Sequence, residues 1–133
     1  MKASYVFVVT AVVALVFGLA FVLVPAQTLA LYDVTLDAAG LFIARLLGSA
    51  FLMFAVVSWL VRNAGPSPER QAIALAFFAG DTIAFVASLL AQLDGVANAL
   101  GWSTVAIYLI LALGFGWVRF MGAGEPARPQ LAR

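Results

Sequence analysis

Four apolar stretches of about 20 residues each dominate this chain, and they limit the folds that it can adopt. A helix of that length rises about 30 Å, which matches the hydrocarbon core of a bilayer. Backbone polar groups in lipid must be satisfied within their own segment, so isolated apolar spans form helices. We predict an all-α integral membrane bundle of four transmembrane helices, with spans over residues 5–24, 39–61, 71–90 and 101–120.

Prolines and glycines separate these spans. Pro25 ends the first span because proline cannot donate the backbone hydrogen bond that continues a helix, and Gly65, Pro66 and Pro68 interrupt the chain after the second span. The first connection, residues 25–38, mixes apolar and polar residues and predicts a short helix or turn that caps the bundle. We predict one transmembrane domain, residues 1–121, and a mobile cytoplasmic tail, residues 122–133.

Basic residues predict the orientation of the bundle, because short cytoplasmic loops retain Lys and Arg. The first and third loops carry aspartates and no basic residue. The basic residues outside the spans or at their ends fall on the other side: Lys2, Arg62, Arg70, Arg119, Arg128 and Arg133. Both termini are therefore predicted to be cytoplasmic, and the lipid bilayer is the first expected partner.

Composition argues against several classes of function. The chain has no cysteine and no histidine, which excludes a disulfide framework, a haem ligated through histidine and an ordinary zinc site. The net charge is only +1 and the basic residues are scattered, so the sequence predicts no basic surface of the kind that binds nucleic acid. No second carboxylate lies within the spans to share acid and base roles, and no phosphate-binding glycine loop occurs. We expect no cofactor and no enzymatic activity.

Small residues at four-residue spacing predict where helices approach each other, because association in lipid depends on close packing. One such series of small residues lies in the second span and another lies in the third. Both favour close packing of helices within the bundle and with helices of partner proteins. We therefore expect a homo-oligomer or a larger membrane complex. The residues predicted to pack are Gly40, Ala44, Gly48, Ala76, Gly80 and Ala84.

Arg45 and Asp81 are charged residues inside the second and third spans, where a charge costs roughly 2.5 to 3.5 kcal/mol. A short loop joins these spans, so we expect them to be antiparallel neighbours. The simplest hypothesis is a structural ion pair between Arg45 and Asp81, which would keep both charges away from lipid. A second hypothesis pairs Arg45 with Asp33 or Asp37 at the outer surface and leaves Asp81 protonated.

A functional hypothesis is that Asp81 binds a proton or a cationic ligand in a pocket open to the outside. Ser88 and Gln92 follow Asp81 on the same helical face, and Thr104 shares a face of the fourth span with a tyrosine. A pocket beside Asp81 would favour this hypothesis, and a filled contact with Arg45 would favour the ion pair. The candidate site residues are Arg45, Ser49, Asp81, Ser88, Gln92 and Tyr108.

The region from Pro25 through the second span has a proline after the first span, an acidic outer loop and the segment Ala44-Arg45-Leu46-Leu47-Gly48. It resembles the start of small uncharacterised four-helix bacterial membrane proteins, some of them grouped with the DoxX-like proteins. The resemblance implies a four-helix fold in a bacterial inner membrane and no particular activity. We expect a structural or accessory subunit that acts through helix packing. The alternative is a proton-linked or small-molecule carrier or receptor centred on Asp81.

Overall fold

The computed structural model describes residues 2–122 of the chain, and helices make up most of this part. Five helices follow one another, and no strand occurs among these residues. The last helix continues into a π-helical turn, Trp117–Met121. The helices are α1 (Ala3–Leu23), α2 (Pro25–Ala30), α3 (Ala38–Val61), α4 (Pro68–Leu93) and α5 (Gly101–Gly116).

Four of these helices, α1, α3, α4 and α5 with its π-helical turn, are each long and apolar enough to cross a membrane. This confirms the predicted all-α class and the four apolar spans, and it is the pattern of a multi-pass membrane protein. The cytoplasmic location of the termini stays a prediction. The predicted mobile tail lies outside the described residues, apart from Gly122.

Side-chain caps fix where two of the long helices begin. The Asp37 carboxylate accepts a hydrogen bond from the Gly40 backbone N–H at 2.8 Å, and α3 begins at the residue after Asp37. The Ser67 hydroxyl accepts from the Arg70 backbone N–H at 3.2 Å, and Pro68 follows in the first turn of α4, where its missing N–H is tolerated. The third span therefore starts at residue 68 rather than at the predicted residue 71.

Pro25 separates α1 from a second, short helix. Val24 leaves the helical region, with φ −137° and ψ 56°, and Pro25 takes the first position of α2. The Thr28 hydroxyl donates to the Val24 carbonyl at 2.8 Å, which ties α2 to the end of α1. Pro25 and Thr28 are both buried, so α2 covers one end of the bundle. We call this end the α2 end and the opposite end, where α1 begins, the N-terminal end.

The long helices form two closely packed pairs, α1 with α3 and α4 with α5. A Cβ atom added to Gly48 would lie 2.9 Å from the Val22 backbone nitrogen, and one added to Gly18 would lie 3.0 Å from the Leu52 backbone nitrogen. Glycine thus lets the backbones of α1 and α3 approach. In the described part of the chain, α3 and α4 are not a closely packed pair. The second and third spans, predicted to be antiparallel neighbours, are not packed closely along their length, because the second span packs against the first.

At the N-terminal end, an aromatic cluster joins the two pairs. The Phe115 ring of α5 stacks on Phe77 of α4 with ring centroids 4.8 Å apart, and it meets Phe7 of α1 edge-on at 5.2 Å. Phe77 also meets the Phe54 ring of α3 at 5.6 Å. Phe7 and Phe115 are fully buried. These four rings, here called the aromatic floor, connect all four long helices.

Candidate functional site

Between the aromatic floor and the α2 end, the two helix pairs separate and leave a cavity of about 710 Å³. All four long helices line this cavity, together with the loop after α2 and the loop before α5. Most of the lining side chains are apolar. The polar side chains that line it from its middle to the α2 end are Tyr32, Asp81, Ser88, Gln92, Thr104 and Tyr108.

Three phenylalanines form one wall of the cavity. The Phe17 and Phe21 rings of α1 lie 6.3 Å apart between centroids, and the Phe51 ring of α3 lies 6.2 Å from Phe21. All three side chains line the cavity. Because packed rings hold each other in place, this wall offers an apolar molecule a fixed surface.

Asn98 ties together the two loops that close the cavity at the α2 end. Its side-chain amide donates to the Leu31 carbonyl at 2.9 Å, and its backbone N–H donates to the Tyr32 carbonyl at 3.0 Å. Its side-chain oxygen accepts from the Leu100 N–H at 3.0 Å. The hydroxyls of Tyr32 and Thr104 lie 3.4 Å apart in the same region. One exposed residue thus connects the loop after α2 with the loop before α5.

We expect Asn98→Ala to lower the free energy of unfolding by about 1 kcal/mol, because it removes two side-chain hydrogen bonds at an exposed position. The measurement is unfolding of the purified protein in mixed micelles as the fraction of SDS rises. Asn63→Ala is the matched control, since Asn63 is exposed and lies in the loop at the opposite end. Equal losses from the two variants would contradict the role assigned to Asn98.

The cavity reaches the side of the bundle between α3 and α4. These helices are not a closely packed pair, whereas no lining residue of α1 or α5 is exposed. The exposed lining residues therefore place an opening of the cavity on the side of the bundle, between α3 and α4. The exposed lining residues of the long helices all belong to α3 and α4: Leu47, Met53, Phe54, Ala76 and Gly80.

Asp81 lies half-way along α4 and, among the described residues, is the one charged side chain that lines this cavity. Only 9% of its surface is exposed, and its Oδ2 atom is buried without a hydrogen-bond partner. Leaving a buried carboxylate oxygen unpaired costs free energy. The site therefore favours a ligand that brings a positive charge or a hydrogen-bond donor.

A strip of polar side chains extends from Asp81 toward the α2 end. Ser88 and Gln92 follow Asp81 along about 16 Å of α4, and Thr104 and Tyr108 of α5 line the same cavity. The Ser88 hydroxyl and the Gln92 amide each donate to a nearby backbone carbonyl, at 3.1 Å and 3.0 Å respectively. The structure thus places these predicted residues in one cavity with Asp81.

Arg45 and Ser49 do not belong to this site. Both are exposed on α3, neither lines the cavity, and the Ser49 hydroxyl donates to the Leu46 carbonyl at 2.7 Å. The expected ion pair between Arg45 and Asp81 is not formed, because α3 packs against α1 and leaves Arg45 on the outer surface. Arg45 lies about 10 Å from the start of α3. Asp37, an alternative partner for Arg45, caps α3.

The small residues of α4 border the cavity rather than a packed helix. Nothing lies within 4 Å of a Cβ atom added to Gly80. Ala76 and Ala84 line the cavity with it. The prediction of close packing at Gly80 is wrong, because small side chains here leave open space between α3 and α4.

The small residues of α3 serve two purposes. Ala44 and Gly48 are buried, and Gly48 packs against α1. Gly40 contacts its own cap rather than another helix, since a Cβ atom added there would lie 2.9 Å from the Leu36 Cβ atom. The absence of a side chain at Gly40 thus makes room for the turn that starts α3.

Two residues that shape the site, Tyr32 and Asn98, were not among the candidates from the sequence. Asn98 and its acceptor Leu31 are 67 residues apart, and Tyr32 and Thr104 are 72 residues apart. No local pattern reveals such contacts. The signal that the sequence does carry is a cluster of polar residues in loops that we expect on the same side of the membrane.

No group of three His, Cys, Asp or Glu side chains within residues 2–122 could hold a metal ion. Comparison of the chain with protein-family models, with curated proteins and with solved structures gives no match. The resemblance to the DoxX-like proteins therefore stays an expectation.

Proposed function

We propose that this chain is a membrane-embedded binding protein, a carrier or receptor, for small amphipathic molecules that bear a cationic group. The observation that carries the proposal is the buried Asp81 carboxylate, whose Oδ2 atom lacks a hydrogen-bond partner beside an apolar cavity. The cationic group of the ligand pairs with Asp81, and its apolar body occupies the space between the helix pairs.

The size and lining of the cavity support this class of ligand. Its volume of about 710 Å³ lies within the roughly 300 to 1,000 Å³ range of small-molecule sites. Such sites combine apolar walls with a few polar groups that orient the ligand. A carboxylate held away from water gains most from a cation, since a charge-assisted hydrogen bond is about twice as strong as a neutral one.

The opening between α3 and α4 supports a ligand that arrives from the bilayer. An amphipathic molecule partitions into lipid with its apolar part among the acyl chains. From there it can pass between α3 and α4, where Gly80 leaves open space and where Asp81, the next residue, faces the cavity. The polar strip toward the α2 end offers further partners to a ligand with a second polar group.

A purely structural subunit, our first expectation from the sequence, has less support than binding. That expectation depended on small-residue surfaces that were free to meet partner helices. Gly48 packs within the chain against α1, and Gly80 borders the cavity. Interiors of proteins are normally filled, so a space of this size beside a buried carboxylate favours a binding role.

The test compares two probes that share a dodecyl chain, dodecylamine and dodecanol, on the full chain in lipid nanodiscs. We expect dodecylamine to bind about tenfold more tightly than dodecanol, because only the ammonium group forms a charge-assisted hydrogen bond with Asp81. Calorimetric titration gives the two affinities, and empty nanodiscs of the same lipid correct for partitioning. Equal affinities after this correction would overturn the proposal.

A further inference from the structure

A second cavity, of about 740 Å³, lies at the N-terminal end, on the far side of the aromatic floor. The start of α1, the loop between α3 and α4, the first turn of α4 and the π-helical turn line it. Three basic residues, Lys2, Arg62 and Arg70, are among its lining residues, and no acidic residue of the described chain is. We call it the basic cavity.

Two residues that line the basic cavity each have a buried polar atom without a hydrogen-bond partner, the Nε atom of Arg70 and the Oε1 atom of Gln71. A guanidinium N–H that is shielded from water and unpaired favours an acceptor, and a charged acceptor most of all. Arg62 also lines the basic cavity, and its position is fixed by Trp59: its guanidinium lies 3.7 Å from the centroid of the Trp59 ring and donates to the Trp59 carbonyl. Positioned arginines of this kind match the oxygens of a phosphate group.

The basic cavity also has apolar lining residues. Trp117, Val118 and Met121 of the π-helical turn line it together with the basic residues. A cavity that combines cations with apolar side chains, at the end of four apolar helices, fits the border between headgroups and acyl chains. The predicted orientation places it in the cytoplasmic leaflet, where basic cavities between helices bind anionic headgroups.

We propose that the basic cavity binds the phosphate group of an anionic ligand, with Arg70 and Arg62 as the main contacts. This site is separate from the Asp81 cavity, and the proposal does not depend on the function proposed for Asp81. The phosphate group belongs either to an anionic phospholipid or to free phosphate, and the same residues would hold both.

The test titrates the purified full chain in detergent with phosphatidylglycerol or with phosphatidylcholine and measures the dissociation constant of the first bound lipid by native mass spectrometry. We expect a preference of at least about fivefold for phosphatidylglycerol, since a basic residue that contacts an anionic headgroup contributes about that factor. Arg70→Gln is expected to lower this preference about fivefold, and Arg62→Gln is a second variant for the same cavity. If inorganic phosphate displaces the lipid, the phosphate group alone is sufficient for binding. If it does not displace the lipid, the ligand is the phospholipid.

Arg119→Gln is the matched control. Arg119 lies in the π-helical turn, next to residues that line the basic cavity, and it carries the same charge as Arg70. It does not line the cavity itself. We expect this variant to keep the preference for phosphatidylglycerol. Absence of any preference in the unmodified chain, or equal losses from Arg119→Gln and Arg70→Gln, would overturn the proposal. Melting curves without added lipid show that each variant is folded.

Discussion

Asp81→Asn is expected to lower the affinity for dodecylamine about 10- to 100-fold and to leave the affinity for dodecanol almost unchanged. The asparagine keeps the size of the side chain and its ability to accept a hydrogen bond, but it removes the negative charge that pairs with the ammonium group. The measurement is calorimetric titration in lipid nanodiscs with both probes. An equal change for both probes would mean that the variant alters the shape of the cavity and not its charge.

Arg45→Gln is the matched control for Asp81→Asn. It also removes one charge from within an apolar span, but Arg45 is exposed and does not line the cavity. We expect its affinity for dodecylamine to match that of the unmodified chain.

The same two variants also test whether an ion pair joins α3 to α4. Since the structure does not form that pair, their effects on the free energy of unfolding should add to within about 0.5 kcal/mol in the double variant. A larger coupling free energy, with each single variant less stable than the double variant, would show that the ion pair forms.

Gly48→Ala is expected to lower the free energy of unfolding by about 1 to 3 kcal/mol, the usual cost of adding a methyl group to a filled contact. The added Cβ atom would lie 2.9 Å from the backbone nitrogen of Val22, and a backbone atom cannot move aside without separating α1 from α3. Unfolding in mixed micelles of rising SDS fraction measures the change.

Gly80→Ala is the matched control, since it makes the same chemical change in the middle of another long helix. Nothing lies within 4 Å of the added Cβ atom. We expect no loss of stability and a gain of up to about 1 kcal/mol, because alanine favours a helix over glycine. If Gly80→Ala destabilises the protein as much as Gly48→Ala does, α4 packs closely on another helix and the cavity is not open at Gly80.

The number of spans and most of their bounds follow from the sequence because they depend on local properties. Apolar stretches of sufficient length predict α1, α3, α4 and α5, and the turn formers between them mark the breaks. α4 starts earlier than predicted because the Ser67 cap and Pro68 begin the helix ahead of the first residue of the apolar stretch. These differences are small, since caps shift a helix boundary by only a few residues.

The site was predictable only in part. Asp81 is recognisable in the sequence as a charge within an apolar span, and spacing places Ser88 and Gln92 on its helical face, because a helix fixes which of its own residues share a face. Arg45 was placed in the same site by the assumption that consecutive spans pack together. Small residues at four-residue spacing predict a helix contact at Gly80. The same spacing also suits residues that border a cavity, which is where Gly80 lies.

Length, hydropathy and helical period act within each segment, so they are sufficient to predict four long apolar helices and the position of Asp81 in the middle of one of them. The pairing of α3 with α1, the outward position of Arg45 and the cavity beside Asp81 are properties of the assembled fold that no single segment shows. Those outcomes depend on which surfaces fit most closely. In lipid, helix pairing depends on close contacts between particular residues rather than on hydrophobicity, so it cannot be read from one helix alone.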